Sequence, residues 1–123
     1  MKKIMVVDDN ASIRYVLRAS LGDLKEYKIV EAVSGEEAVE MALEVMPELI
    51  FMDVVMPGQL DGLEATKKLK NNPRTKDIKV VMLTAMRQKS DIDSGFMAGA
   101  DDYFAKPFSP MELVKKVDEV LGL

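Results

Sequence analysis

The sequence predicts an α/β domain in which one five-stranded parallel sheet is doubly wound, with five helices covering its two faces. Three observations lead there. Short apolar runs recur along the 123 residues, segments with helical spacing stand between them, and short connections join the two kinds. Right-handed crossovers then leave few topologies. The apolar runs fall at 4–7, 29–33 (interrupted by Glu31), 49–52, 80–83 and 103–105. Three of them, 4–7, 49–52 and 80–83, are apolar throughout, as strands buried on both faces should be. "KIVEA" and "YFA" are more broken and suit the sheet edges.

The helices follow in order. After Asn10, the residues Ile13, Val16, Leu17 and Leu21 share one face. Ser34-Gly35-Glu36-Glu37 is a capping-box opening for a second helix, whose inward positions are Ala38, Ala42 and Met46 beside Val39 and Leu43. A third begins at Asp61 with Glu64 three residues on, and stops near Asn71-Asn72-Pro73. A fourth, around Ile92, Phe96 and Ala100, contains Gly95 and Gly99. Each glycine costs about 1 kcal/mol relative to Ala, so this helix is expected to be the movable one. The last has Ser109 as cap, Pro110 at its first position and Glu112 completing the box, with Leu113, Val117, Val120 and Leu121 facing inward.

Composition narrows the function. With 48% apolar and 31% charged residues the chain has the makings of one core and of a single domain, 1–123. It has no cysteine and no histidine, which removes disulfides, zinc-thiolate sites and histidine acid-base chemistry. The apolar runs are far shorter than the ~20 residues that span a bilayer, and "MKKIMVVDD" reaches acids too soon for a signal peptide, so the expected address is the cytoplasm, with no membrane partner. A net charge of −4 without a basic cluster argues against nucleic-acid binding by this domain. The methionines divide by position: Met5, Met52 and Met82 are expected in the core, and Met56, Met86, Met97 and Met111 at the surface.

The polar residues then stand out by where they fall. Asp8 and Asp9 follow the first strand, Asp53 the third, Thr84 the fourth and Lys106 the fifth. In an open parallel sheet these carboxyl ends lie along one edge, where ligands bind at the topological switch point. Three carboxylates gathered there repel, and a divalent cation removes the repulsion. Oxygen-only donors suit magnesium, and the lack of His and Cys makes zinc and copper poor fits. Such a centre, bordered by a hydroxyl and an ammonium, is equipped for phosphoryl transfer, with Asp53 as nucleophile, Thr84 donating to a phosphoryl oxygen and Lys106 neutralising another. Taken singly, each residue has a plainer reading: a helix cap, a satisfied strand end or a surface charge.

"VVDDN", "LIFMDVVMP", Asp61-Gly62, "VVMLTA" and "YFAKPF" occur in this order and spacing over the whole chain. In this the sequence resembles the response regulator receiver domains of two-component signal transduction, the CheY-like, flavodoxin-like fold. The resemblance implies strand order 2-1-3-4-5. It implies a phosphorylation-activated switch rather than an enzyme with a separate substrate, Asp53 taking its phosphoryl group from a histidine kinase or histidine phosphotransfer protein. It implies Mg2+ held by Asp9, Asp53 and the Val55 carbonyl, with Asp8 acting mainly through water. Small phosphodonors such as acetyl phosphate would also serve, so the domain would catalyse its own phosphorylation and dephosphorylation. Thr84 and Tyr103 are then the switch pair, Lys106-Pro107 the candidate cis peptide, and the face built by the fourth helix, fifth strand and fifth helix the surface for a downstream protein or a phosphorylation-dependent dimer. Residues 1–123 are expected to hold the receiver alone, without an output domain, and so to be either a stand-alone regulator or the receiver of a longer one.

The sequence departs from the family in two places. Gly58-Gln59-Leu60 puts three residues between Met56-Pro57 and Asp61-Gly62 where the commonest pattern has two, and Gly58 is expected to absorb the extra one in a turn. Val55 and Met86, at positions that influence loss of the phosphoryl group, are both apolar and cannot orient water, which implies a long-lived phosphorylated state. Two other functions compete. A haloacid-dehalogenase-type phosphohydrolase wants two Asp separated by one residue, whereas Asp8 and Asp9 are adjacent. A phosphorylation-independent adaptor would be favoured by loss of the acceptor, acid pair or lysine, and all are intact.

Overall fold

The structure, a computed structural model, describes residues 2–22, 26–54, 56, 58, 60–84, 96, 98–105 and 109–122. In chain order these form β1 (Lys2–Val7), α1 (Ala11–Leu21), β2 (Tyr27–Ala32), α2 (Gly35–Val45), β3 (Leu49–Asp53), α3 (Gly62–Asn71), β4 (Lys79–Thr84), β5 (Asp102–Ala105) and the C-terminal helix α4 (Pro110–Leu121). Four helices are thus described; the movable helix expected around Ile92 falls largely outside the described residues.

The strands form one parallel sheet in the order β2-β1-β3-β4-β5. The two broken runs are its edges and the three fully apolar ones its centre. The chain steps outward from β1 to β2 and then crosses back to β3, so the reversal falls between β1 and β3. Side chains alternate across the pleat and both faces are covered. Met5, Val7, Ile50, Met52, Val80 and Met82 meet Ala38 and Ala42 of α2 and Ala65 and Leu69 of α3. Ile4, Val6, Leu49, Phe51, Val81 and Leu83 meet Leu17 and Leu21 of α1 and Leu113 and Val117 of α4. Full burial of each large aliphatic side chain contributes about 1.5–3 kcal/mol.

Every described helix starts on a side-chain cap. Asn10, Ser34, Asp61 and Ser109 accept from backbone amides of Ser12 and Ile13, Glu37, Glu64 and Glu112 respectively. In the second box the Glu37 carboxylate returns to the Val33 amide at 3.3 Å rather than to the cap residue itself.

Two inward assignments and one surface assignment are corrected. Val16 is exposed; the inward position is taken by Ser20, whose hydroxyl is satisfied by the Val16 carbonyl at 2.7 Å. Met46 is exposed because α2 ends at Val45 and Met46 itself turns left-handed (φ 51°), its amide donating to the Ala42 carbonyl at 2.9 Å. Met56, expected at the surface, is buried in the core between sheet, α2 and α3, whereas Met111 is exposed as expected.

Candidate functional site

β1 and β3 are neighbours with Val7 opposite Met52, so Asp8 and Asp53 leave the same edge side by side. Asp8, Asp9 and Asp53 each bring a carboxylate oxygen within 4.8 Å of the other two. Asp8 and Asp53 are buried, 1% and 7% exposed, and Asp9 opens to solvent.

Each acid is held by its own backbone surroundings. The Asp8 amide continues the ladder to the Ala32 carbonyl at 3.2 Å, and its carboxylate accepts the Asn10 amide at 2.9 Å. Arg14, one turn into α1, donates to the Asp8 carbonyl at 2.7 Å and to Glu31 at 3.1 Å. Arg18 joins the same Glu31 at 2.9 Å, so the loop carrying the acids is tied to edge strand β2. On the other side, the Val54 amide donates to the Leu83 carbonyl at 3.1 Å and the Val54 carbonyl accepts the Gly62 amide at 2.9 Å. A Cβ at Gly62 would overlap the Asp53 carbonyl oxygen, so only glycine lets α3 start this close to the acceptor strand. Neither Arg14 nor the packing role of Gly62 stands out in the sequence. Arg14 makes its ties outside its own helix, and Gly62 is visible there only as half of an Asp-Gly pair.

The connection from β3 to α3 turns at Gly58, whose φ of 112° belongs to glycine, in keeping with the turn expected there. Its later part is held by Glu36 of α2, whose carboxylate accepts the Leu60 amide.

Thr84 ends β4 opposite Ala105 and one residue past Leu83, the register partner of Asp53, which brings its backbone to the same edge. Tyr103, on β5, is 38% exposed and meets Phe96 edge to face, with ring centroids 6.0 Å apart at 89°. Val55, Met86, Lys106 and Pro107 lie outside the described residues, and with them the carbonyl ligand, the rate-setting positions, the lysine and the candidate cis peptide.

The donor set fits a hard divalent cation. It is made of carboxylate oxygens alone, clustered within the reach of one ion, with two of the three shielded from water. Among the described residues no helix is long and apolar enough to cross a membrane.

A doubly wound parallel domain with an acidic crevice at its topological switch point is the class that fold and site define. The particular family follows from comparison: residues 4–118 match the response regulator receiver domain, and the chain belongs to that family. It is 43% identical to the transcriptional regulatory protein ResD of Bacillus subtilis (strain 168), over 97% of this chain and 48% of ResD. The chain thus spans about half the length of the curated relatives it matches. Its fold is similar to that of chemotaxis protein CheY4 of Vibrio cholerae (TM-score 0.90, 32% identity, 98% of both chains). It is also similar to the receiver domain of sensor histidine kinase PA1611 from Pseudomonas aeruginosa PAO1 (TM-score 0.89, 30% identity, 99% of this chain and 98% of that one), a structure with a magnesium ion coordinated in the active site cleft.

Proposed function

We propose that residues 1–123 act as a receiver switch that takes a phosphoryl group on Asp53 from a histidine kinase or histidine phosphotransfer protein and passes the signal to a downstream protein in the cytoplasm. The observation that carries this reading is the convergence of Asp8, Asp9 and Asp53 within 4.8 Å at the sheet's switch point. Membership of the receiver family and the magnesium-bound relative support it.

In the proposed step an Asp53 carboxylate oxygen attacks phosphorus, an acyl-phosphate P–O bond forms, and the bond to the donor's nitrogen or oxygen breaks with its electron pair leaving on the donor. Asp9, Asp53 and the Val55 carbonyl would hold magnesium, with Asp8 behind them. When bound, the ion supplies charge neutralisation and orientation of the phosphoryl oxygens. Thr84 and Lys106 bind the phosphoryl oxygens, and Tyr103 follows Thr84, remodelling the face formed by the segment before β5, β5 itself and α4. Apolar Val55 and Met86 shield the acyl phosphate from water and lengthen its life.

Intact mass after incubation with magnesium and acetyl phosphate tests this. One added phosphoryl group, absent in Asp53→Asn and in a chelated control, is the expected result. Failure with both acetyl phosphate and a phosphorylated histidine donor would instead favour an adaptor that works without phosphorylation.

A further inference from the structure

Two glutamates open α2, and they do different work. Glu37 stays local: its amide is capped by Ser34 and its carboxylate returns to the Val33 amide. With those bonds the first turn is served, so Glu36 is not needed as a cap. Its carboxylate reaches instead across 24 residues to the Leu60 amide, in the connection that leaves Asp53.

The fit of that contact is tight on every side. A Cβ at Gly35 would overlap the Leu60 carbonyl oxygen, so the start of α2 and Leu60 touch backbone to backbone. At Gly58 the other Glu36 oxygen would lie 3.0 Å from an added Cβ, so both carboxylate oxygens face the connection. This is the stretch that carries the extra residue. Two residues beyond Leu60 stands Gly62, pressed on the Asp53 carbonyl and bonded to Val54 at 2.9 Å. Glu36 is therefore mechanically linked to the acceptor strand through Leu60, Asp61 and Gly62. The amino end of α2 is also a favourable place for a carboxylate, though what the contact needs is an acceptor oxygen.

We infer that Glu36 is a positioning residue of the acid centre, holding the connection after Asp53 so that the centre binds a divalent cation tightly. The inference rests on the magnesium reading given above and adds a residue that touches neither the ion nor the phosphoryl group.

The test is a magnesium titration followed by amide NMR on the wild-type chain, Glu36→Ala and Glu36→Gln, with thermal unfolding of each alongside. Glu36→Ala is expected to raise the magnesium Kd about tenfold, the loss usual for a group that orients metal ligands from behind, while Glu36→Gln, which keeps an acceptor oxygen, stays within about twofold. The Leu60 amide should lose hydrogen-exchange protection in Glu36→Ala and keep it in Glu36→Gln. If Glu36→Ala does not fold, Glu36→Asp, too short to reach Leu60, carries the same test. A lowered melting temperature with an unchanged Kd would make Glu36 merely structural and overturn the inference. So would a Gln variant as weak as Ala, which would assign the effect to charge. A wild-type chain without magnesium-induced shifts overturns the metal reading itself and this assignment with it; shifts that persist unaltered in Glu36→Ala overturn the assignment alone.

Discussion

The two edges of the sheet treat charge in opposite ways. At the carboxyl edge three acids crowd within 4.8 Å of one another. At the amino edge opposite charges are matched one against another. The Lys70 ammonium donates to the Ile78 carbonyl at 2.7 Å, the Lys76 carbonyl at 3.2 Å and the Asp101 carboxylate at 2.8 Å, and the same Asp101 oxygen accepts the Val80 amide at 2.8 Å. Close by, Lys116 pairs with Asp102 at 3.0 Å, and Glu48 accepts the Lys3 amide at 2.5 Å. One edge uses its charges to join α3, β4 and β5. The other gathers like charges close enough for one cation to bridge, which is how a binding centre differs from a structural ion pair.

The contrast can be broken most sharply at Lys70. Replacing it with Met removes the bonds to Ile78, Lys76 and Asp101, leaves the exposed Asp101 to Lys79 and the Val80 amide, and is expected to cost about 1–2 kcal/mol in urea unfolding while leaving phosphorylation of Asp53 intact. A loss within experimental error would mean that the amino edge is not held by charge.

At the other edge a bound cation would do the joining. Magnesium at about ten times its wild-type Kd is expected to raise the wild type by about 1.4 kcal/mol and Asp53→Asn by less, because one of the three carboxylates that would hold the ion is gone. Equal stabilisation of both chains would show that Asp53 is not part of a magnesium centre.

The smallest effect concerns an exception on the amino side. Tyr27, at the start of β2, is 7% exposed, and its hydroxyl has no hydrogen-bond partner among the described residues. Tyr27→Phe is expected to raise stability by about 0.5–1 kcal/mol at neutral pH. Burial, and then the charges of Glu26, Asp118 and Glu48, hold the Tyr27 hydroxyl above its ordinary pKa of 10.0. A proton held more tightly in the fold contributes stability that is complete below pH 10.0 and is lost as pH rises through the folded value. Lys116 acts in the same direction: burial opposes its charge, but hydrogen bonds and charge from Asp102 and Glu119 outweigh it and raise its pKa above 10.5. Unfolding free energies measured across the alkaline range should therefore decline above about pH 10 in wild type and less steeply in Tyr27→Phe.

Much of the centre is legible in the sequence. Asp8, Asp9 and Asp53 announce themselves as acids set directly after runs too apolar to be exposed, and the helix caps at Ser34, Asp61 and Ser109 form as their spacing implies. The departures come where neighbouring elements choose among near-equal options. Val16 and Ser20 both border the inward stripe of α1, and the serine is the one buried because its hydroxyl is satisfied one turn back. Met46 continues the apolar spacing of α2 but stands where the chain turns out of the helix.

Spacing, caps and the position of each acid are local properties, decided within a turn of helix or a few residues of strand, and the sequence by itself determined them. It also determined which strands were central, because burial on both faces leaves no room for polar alternation. Which distant groups meet was decided only in three dimensions. That Glu36 reaches Leu60, Lys70 reaches Asp101 and Arg14 reaches the carbonyl of Asp8 depends on sheet register and on where each crossover sets its helix down. A side chain a few ångströms long cannot encode those distances; the packing of the whole sheet sets them.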